Sequence, residues 1–298
     1  LVRVEAEITG GKTPRQLTAL CRILDREGIC AGEVRQQLTA GEKTSAVFEM
    51  ELSNPSLWDL DSPYLYRCEI LLMEDGIILD TAGDTFGIRK IEVDAARGFR
   101  LNGRQIKLKG GCVHHDNGFL GACAYPKAER RKLEILKRVG YNTVRISHYP
   151  PSLTFLKLCD EMGMLLMDEA FDVWRMGKVP MDYHLYFEAW WERDIEGMVR
   201  RDRNHPSVIT YSIGNEITER DGSNDGAAWS ARLAGKVRSL DDTRFVVSAL
   251  CGLNVIDEDP GSEGGGGNFE INLNSSQELW GEKTADFCKP LDIVGYNY

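Results

Sequence analysis

The sequence predicts two domains in series. Residues 1–92 read as an antiparallel β-sandwich, and residues 93–298 as a parallel β/α array wound into an incomplete (β/α)8 TIM barrel, with the first six of its eight units present. Three observations carry this. Residues 1–92 alternate apolar and polar with period two and contain no helix-spaced run. From about Gln105 onward, strand-like and helix-spaced segments alternate. Polar residues then gather after strand after strand, which is where a barrel converges on a single site.

The sandwich rests on four alternating runs: Val2, Val4, Ala6, Ile8; Leu17, Ala19, Cys21, Ile23; Ala46, Phe48, Met50; and Tyr64, Tyr66, Cys68, Ile70, Leu72. Gly10-Gly11, Asn54-Pro55 and Asp75-Gly76 punctuate them, the last a good hairpin turn. Short alternating strands without helices are the signature of two packed sheets.

In the second domain, residues 106–111 read as the first strand. Pro126 can open a helix carrying Leu133, Leu136 and Val139 on one face, with Gly140 as its stop. Thr143-Val144-Arg145-Ile146 is a short strand, and Ser152 is a candidate N-cap for a helix bearing Phe155, Leu158, Cys159 and Met162 until Gly163. The run 164–167 is all apolar and ends in Asp168-Glu169. A longer helix follows with Phe187, Trp190, Trp191, Ile195 and Met198 on one side, and both tryptophans are expected in the core. Residues 207–213 form a buried strand, 227–239 a helix, 245–247 and 292–294 the last strands, and the glycine-rich run 261–267 an insertion. Alternation alone fits a doubly wound sheet as well. The first strand, however, lacks the glycine-rich phosphate loop of a dinucleotide site.

Composition narrows the function. The formal net charge of -10 argues against nucleic acid or an anionic membrane surface and leaves a neutral small substrate open. Eight cysteines without a Cys-x-x-Cys pair read as reduced thiols of a cytoplasmic protein. No run reaches membrane-spanning length, so no membrane partner is expected, and the opening residues do not form a signal segment. Leu1 already lies in a strand-like pattern, so the chain is expected to be part of something longer.

Ile213-Gly214-Asn215-Glu216 puts an amide and an acid where a buried strand stops. Taken alone, this pattern also describes an acid in the first turn of a following helix, favoured by the helix dipole. The other strand ends give it a different weight: His114, His115 and Asp116; Arg145 and His148; Asp168 and Glu169; Tyr296 and Tyr298.

Gly87-Ile88-Arg89, Leu101-Asn102-Gly103, Gly110-Gly111-Cys112-Val113-His114, Arg145-Ile146-Ser147-His148-Tyr149-Pro150, Met167-Asp168-Glu169-Ala170, Arg203-Asn204-His205-Pro206-Ser207 and Ile213-Gly214-Asn215-Glu216 occur in that order. Together they resemble the glycoside hydrolase family 2 enzymes, the group of β-galactosidases, β-glucuronidases and β-mannosidases. Leu57-Trp58 through Ser62-Pro63-Tyr64-Leu65-Tyr66 is similar to that family's immunoglobulin-like domain.

The resemblance implies a retaining β-glycosidase, β-galactosidase-like, with Glu216 as general acid/base. Asn215 would bond the sugar 2-hydroxyl. Arg145 would orient a carboxylate in the floor of the site, or form a barrel-interior ion pair with Glu169, or both. His148 would sit near the sugar, His114 at the rim, and Asp116 is a candidate for a sugar hydroxyl. Trp174 could be a stacking platform or packing. The tyrosine beside the nucleophile would be Tyr296 or Tyr298, with Tyr296 the first after the strand.

Departures from the family pattern matter too. The acid and histidine that bind magnesium in the metal-dependent galactosidases correspond here to Val173 and Arg175, so no metal and no cofactor are expected. The nucleophilic Glu, expected after a seventh strand, is not in the sequence. Asp168 and Glu169 are the remaining strand-end acids, and nothing in their spacing recommends them for the role. The expectation is therefore a fragment inactive by itself, cut from an enzyme that acts on carbohydrate and could be a homo-oligomer. The competing readings are a β-glucuronidase, a β-mannosidase, or a non-catalytic carbohydrate-binding protein.

Overall fold

A computed structural model of the chain describes residues 1–251 and 282–297. The glycine-rich run 261–267 and Tyr298 lie outside those residues. The chain divides into two units. The first comprises Leu1–Leu108, Leu156–Met164 and Asn204–Ser207, and the second Lys109–Phe155, Leu165–Arg203 and Val208–Tyr298.

The first unit is a sandwich. Its strands are β1 (Val2–Ile8), β2 (Arg15–Leu24), β3 (Cys30–Ala40), β4 (Thr44–Met50), β5 (Tyr66–Glu74) and β6 (Ile77–Phe86). One sheet has the order β3-β2-β5-β6 and the other pairs β1 with β4, all antiparallel. Alternation decides what is inside: Ala19, Cys21 and Ile23 of β2, Ala46, Phe48 and Met50 of β4, and Tyr66 and Cys68 of β5 form one buried cluster.

Three strands follow as a separate antiparallel sheet: β7 (Ile91–Asp94), β8 (Gly98–Leu101) and β9 (Arg104–Gln105). Asn102 and Gly103 between the last two both have positive φ, 52° and 79°, which is what a tight primed hairpin turn demands.

Much of the ordered motif content stitches this unit together. Arg89 Nε donates to Pro206 O at 2.5 Å, and Asn204 Nδ2 to Asp84 at 2.9 Å. Buried Asp160 accepts from Ser207 Oγ at 2.6 Å and lies 2.5 Å from His205 Nδ1, while its carbonyl takes the Trp58 indole N–H. Asn102 Nδ2 donates to Trp58 O. The Trp58, Asp160, His205 and Ser207 groups satisfy one another in the interior, where an unpaired polar atom would be costly.

The second unit holds β10 (Gly110–His114), α1 (Pro126–Arg138), β11 (Thr143–Ser147), the first residues of α2 (Leu153–Met162), whose remainder from Leu156 belongs to the first unit, β12 (Leu165–Glu169), α3 (His184–Asp202), β13 (Val208–Asn215), α4 (Gly226–Leu240), β14 (Phe245–Leu250), α5 (Glu282–Cys288) and β15 (Ile293–Tyr296). The expected start of the first strand moves from 106 to Gly110. The helix signals act as read: Pro126 is the first residue of α1, Ser152 Oγ accepts the Phe155 N–H at 3.1 Å, and Gly140 and Gly163 follow their helices with positive φ. No described helix is long and apolar enough to cross a membrane.

The six strands are all parallel and lie in sequence order, β10-β11-β12-β13-β14-β15. A doubly wound sheet reverses direction from its first strand, whereas sequential order is barrel winding. Curvature agrees. Arg145 of β11 bonds Asn297 just beyond β15 at 2.9 Å. In a flat sheet those strands would stand roughly 19 Å apart, at about 4.8 Å per neighbour.

One expectation fails on α3. Phe187, Ile195 and Met198 are buried, but Trp190 is 43% exposed with Arg193 stacked over its ring at 5.0 Å. An amphipathic ring can lie on the surface with a cation on its face. Trp191 packs edge-on against Trp229.

Candidate active site

Inward-facing residues at the ends of β11, β12 and β13 meet around one buried carboxylate. Glu169 has no solvent exposure. Its Oε2 accepts from Arg145 Nε at 3.1 Å, Arg145 NH2 at 2.7 Å and Ser212 Oγ at 2.6 Å, and its Oε1 lies 2.5 Å from His148 Nδ1. A charge this deep survives only when paired and hydrogen-bonded, and here it is both. In the neutral imidazole, giving Nδ1–H to Glu169 leaves Nε2 as an acceptor. That atom faces Asn215 Nδ2 at 3.3 Å. The Ser147–His148 peptide bond preceding the ring is cis.

Asn215 is held at both ends of its amide. Oδ1 accepts from Arg145 NH2 at 2.7 Å and Asn297 Nδ2 at 3.0 Å, and Nδ2 donates to Asp172 Oδ1 at 2.8 Å. This network assigns the amide oxygen and nitrogen without ambiguity, because Arg145 can only donate and ionised Asp172 can only accept. A register irregularity in β13 between Ser212 and Asn215 turns Asn215 inward after Ser212, where strict alternation would not. Gly214 permits it: a Cβ there would stand 2.5 Å from Ile217 Cγ1 and 3.1 Å from Trp174 Nε1.

Glu216 follows with φ 48°, a left-handed conformation that a glutamate adopts at a cost. Its N–H donates to Ala249 O at 2.7 Å, and its Oε1 accepts from Asn297 Nδ2 at 2.8 Å. Asn297 therefore joins Arg145, Asn215 and Glu216 in one network. The Glu216 side chain is partly accessible, as a group that must exchange protons with a ligand has to be.

Asp172 and Lys178, in the loop after β12, form an ion pair at 2.6 Å beside Asn215, and Lys178 Nζ also donates to Asn215 O at 3.0 Å. Burial raises the Asp172 carboxyl, but hydrogen bonds from Lys178 and Asn215 outweigh it and leave the group below its ordinary range.

The remaining expected residues divide. His114 is exposed and packs edge-on against His148, ring centroids 5.4 Å apart. Asp116 is exposed, with one oxygen accepting the Gly118 N–H at 2.7 Å in a local turn. Trp174 is no stacking platform. It is fully buried between Phe187 and Phe287 and gives its indole N–H to Ile213 O, so neither ring face is open to a sugar. Tyr296 lies on the strand face opposite Asn297, with burial and then the Cys288 thiol of α5 raising its phenol. The inward position after β15 is held by Asn297 instead. Tyr298 lies outside the described residues.

Asp168, although adjacent to Glu169, points the other way, towards α3, and has no solvent exposure. At the positions compared with a magnesium site, Val173 is buried and Arg175 pairs with Glu188 at 2.5 Å.

Asn297, Asp172, Lys178 and Ser212 were not singled out in the sequence. Ser212 had a signal, since it shares the inward parity of β13. Asp172 and Lys178 reach the site through a loop, which has no periodicity to read.

Comparison with known proteins places this geometry. The model described as "Glycosyl hydrolases family 2, TIM barrel domain" matches residues 91–258, and "Glycosyl hydrolases family 2" matches residues 2–89. The chain is similar to "Beta-galactosidase BoGH2A" of Bacteroides ovatus, 45% identical over 210 residues, which is 70% of this chain and 25% of that protein. A solved family 2 member from Bacteroides cellulosilyticus superposes with a TM-score of 0.85 at 38% identity, covering 99% of this chain and 36% of that one. Bacteroides uniformis beta-glucuronidase superposes with a TM-score of 0.78 at 27% identity, covering 99% and 34%. The chain thus spans about a quarter of the length of the curated relative it matches.

Proposed function

Because the chain belongs to glycosyl hydrolase family 2, we propose that the whole protein is a retaining β-glycosidase, β-galactosidase-like in its preference, with Glu216 as general acid/base. The observation that supports this most is the arrangement of Asn215 and Glu216. Arg145 and Asn297 fix the Asn215 amide, and the same Asn297 holds Glu216 beside it.

In this mechanism the protonated Glu216 gives its proton to the departing glycosidic oxygen, then takes one from the water that cleaves the glycosyl-enzyme intermediate. Asn215 bonds the sugar 2-hydroxyl, a contact that strengthens as oxocarbenium character develops. Arg145 pairs with Glu169 and also orients the Asn215 amide, a contact beyond the two roles expected of it. His148, held by Glu169, lies against the sugar, with His114 and Asp116 at the rim.

Retention needs a second carboxylate about 5–5.5 Å from the acid/base. Glu169 is committed to Arg145, His148 and Ser212, and Asp168 faces away. The proposal therefore assigns the nucleophile to a glutamate of the whole protein outside this chain, and expects the chain alone to be inactive. The β-galactoside preference draws on the name of the 45% identical relative.

Aryl β-galactosides, β-glucuronides and β-mannosides, assayed with the chain and with the full-length protein, test this. Hydrolysis is expected from the full-length protein only, fastest on the galactoside. In the full-length protein, Glu216→Gln should slow substrates with poor leaving groups by roughly 100-fold or more and activated ones far less, since only the former need protonation. An equal loss across leaving groups removes Glu216 from the acid role. Sugar binding without turnover in the full-length protein would make it a carbohydrate-binding protein instead.

A further inference from the structure

The site contains a carboxylate that the acid/base mechanism does not use. Asp172 receives Asn215 Nδ2 and Lys178 Nζ on the same oxygen, Oδ1, at 2.8 and 2.6 Å. Its Oδ2 has no hydrogen-bond partner among the described residues. About a third of the side chain, 34%, is accessible, against 28% for Lys178. Lys178 is itself anchored on the backbone carbonyl of Asn215 at 3.0 Å. The pair is therefore tied to the acid/base strand end at two points and presents one open acceptor.

Asn215 makes the occupant of that acceptor a specific one. Both acceptor positions of its Oδ1 are taken by Arg145 and Asn297, and one Nδ2 hydrogen goes to Asp172. The second hydrogen makes only the 3.3 Å contact to His148 Nε2, the longest in the network. A sugar hydroxyl that engages Asn215 therefore does so by accepting this second hydrogen. That hydroxyl must then give its own proton to an acceptor nearby, since a donor left unpaired in a closed site is costly. Asp172 and His148 are the two groups that touch Asn215 Nδ2, at 2.8 and 3.3 Å, and of the two an ionised carboxylate makes the stronger bond.

We propose that Asp172 is a substrate-binding residue: its Oδ2 accepts the proton of the same sugar 2-hydroxyl that Asn215 engages, and Lys178 holds it in place. This rests on the glycosidase reading above. It adds a carboxylate-to-hydroxyl contact that makes the site select glycosides with a free 2-hydroxyl. Lys178 acts through Asp172 and is a positioning residue.

The test compares an aryl β-glycoside with its 2-deoxy analogue in the full-length protein. Asp172→Asn should lower kcat/KM by roughly 10–100-fold on the 2-hydroxy substrate, the size of a hydrogen bond to a charged group, and only a few-fold on the 2-deoxy one. Lys178→Met should show the same selective loss at smaller size, with Lys178→Arg restoring most of it. Equal losses on both substrates overturn the proposal. An Asn215→Ala background separates direct contact from action through Asn215. There Asp172→Asn must still discriminate between the two substrates, and loss of discrimination also overturns it. Should Asp172→Asn fail to fold, Lys178→Met leaves the carboxylate present and carries the same comparison. If Glu216→Gln has already failed its leaving-group test, the glycosidase reading falls and this contact falls with it. If Glu216→Gln passes and the 2-deoxy comparison fails, only Asp172 is reassigned.

Discussion

Arg145 has only 12% of its side chain accessible, and it faces a Glu169 side chain with none. Replacing it with methionine would keep the packing volume but leave the Glu169 charge in the interior with, among the side chains of the described residues, only His148 and Ser212 against it. Breaking a buried pair from one side costs about 3–5 kcal/mol, much more than the intact pair contributes. Arg145→Met should therefore lower the stability of the second unit by about that amount, read as a fall in denaturation midpoint, and should release Asn215 as well. Arg145→Lys keeps the charge but cannot make the forked contacts to Glu169, Asn215 and Asn297 together, so it should recover stability better than activity. At this scale the sequence showed the strand-end residues Arg145, His148, Glu169, Asn215 and Glu216, because barrel topology gathers polar residues at the strand ends; it did not show the irregularity in β13 that turns Asn215 inward. It did not show that Trp174 would turn into the core. A tryptophan just past a strand end has the same sequence context whether its ring faces a ligand or Phe187 and Phe287.

Elements were legible where burial left a pattern. The runs at 2–8, 17–23, 46–50 and 66–72 are strands whose marked residues are buried or partly buried against one core, with Tyr64 just before the last of them. β3 and β6 were not marked. β6 is exposed along most of its length, at an edge of its sheet, so no apolar periodicity was imposed on it; Ile77, Ile78 and Leu79 are 68%, 52% and 44% exposed. Its hairpin was legible all the same, because turn chemistry does not depend on burial. Asp75 and Gly76 have φ of 50° and 83°, the pair of left-handed residues that joins β5 to β6. Gly76→Ala meets no neighbouring atom within 4 Å, so its whole effect should be the left-handed backbone cost of about 1–2 kcal/mol. A denaturation midpoint lowered by that amount with an unchanged m-value would bear this out. An unchanged midpoint would mean the hairpin can adopt another turn at no cost.

At the scale of the molecule, sequential parallel winding was legible from strand-end polarity, while charge compensation behind the strands was not. Asp168 read as one more strand-end acid. It faces α3, where Asp202 is also fully buried and takes the neighbouring cation: Arg201 forks onto Asp202 at 2.5 and 2.7 Å, while neither Asp168 oxygen has a hydrogen-bond partner among the described residues. Burial, then the neighbouring Asp202 charge, push the Asp168 carboxyl well above its ordinary value of 3.8. The folded chain therefore keeps a proton that the unfolded chain releases above that pH. Folding takes up this proton, so stability falls as pH rises from the ordinary carboxyl range towards the raised value in the fold, by up to about 1.4 kcal/mol per pH unit. Below the ordinary value both states are protonated and the contribution is constant. Asp168→Asn puts a neutral side chain of the same shape beside Asp202 and removes the linkage. Urea midpoints taken between about pH 5 and 8 should decline less steeply for Asp168→Asn than for the unsubstituted chain, with the two curves diverging as pH rises. Parallel curves would mean that Asp168 ionises in the fold, and that Arg201 compensates both acids rather than one.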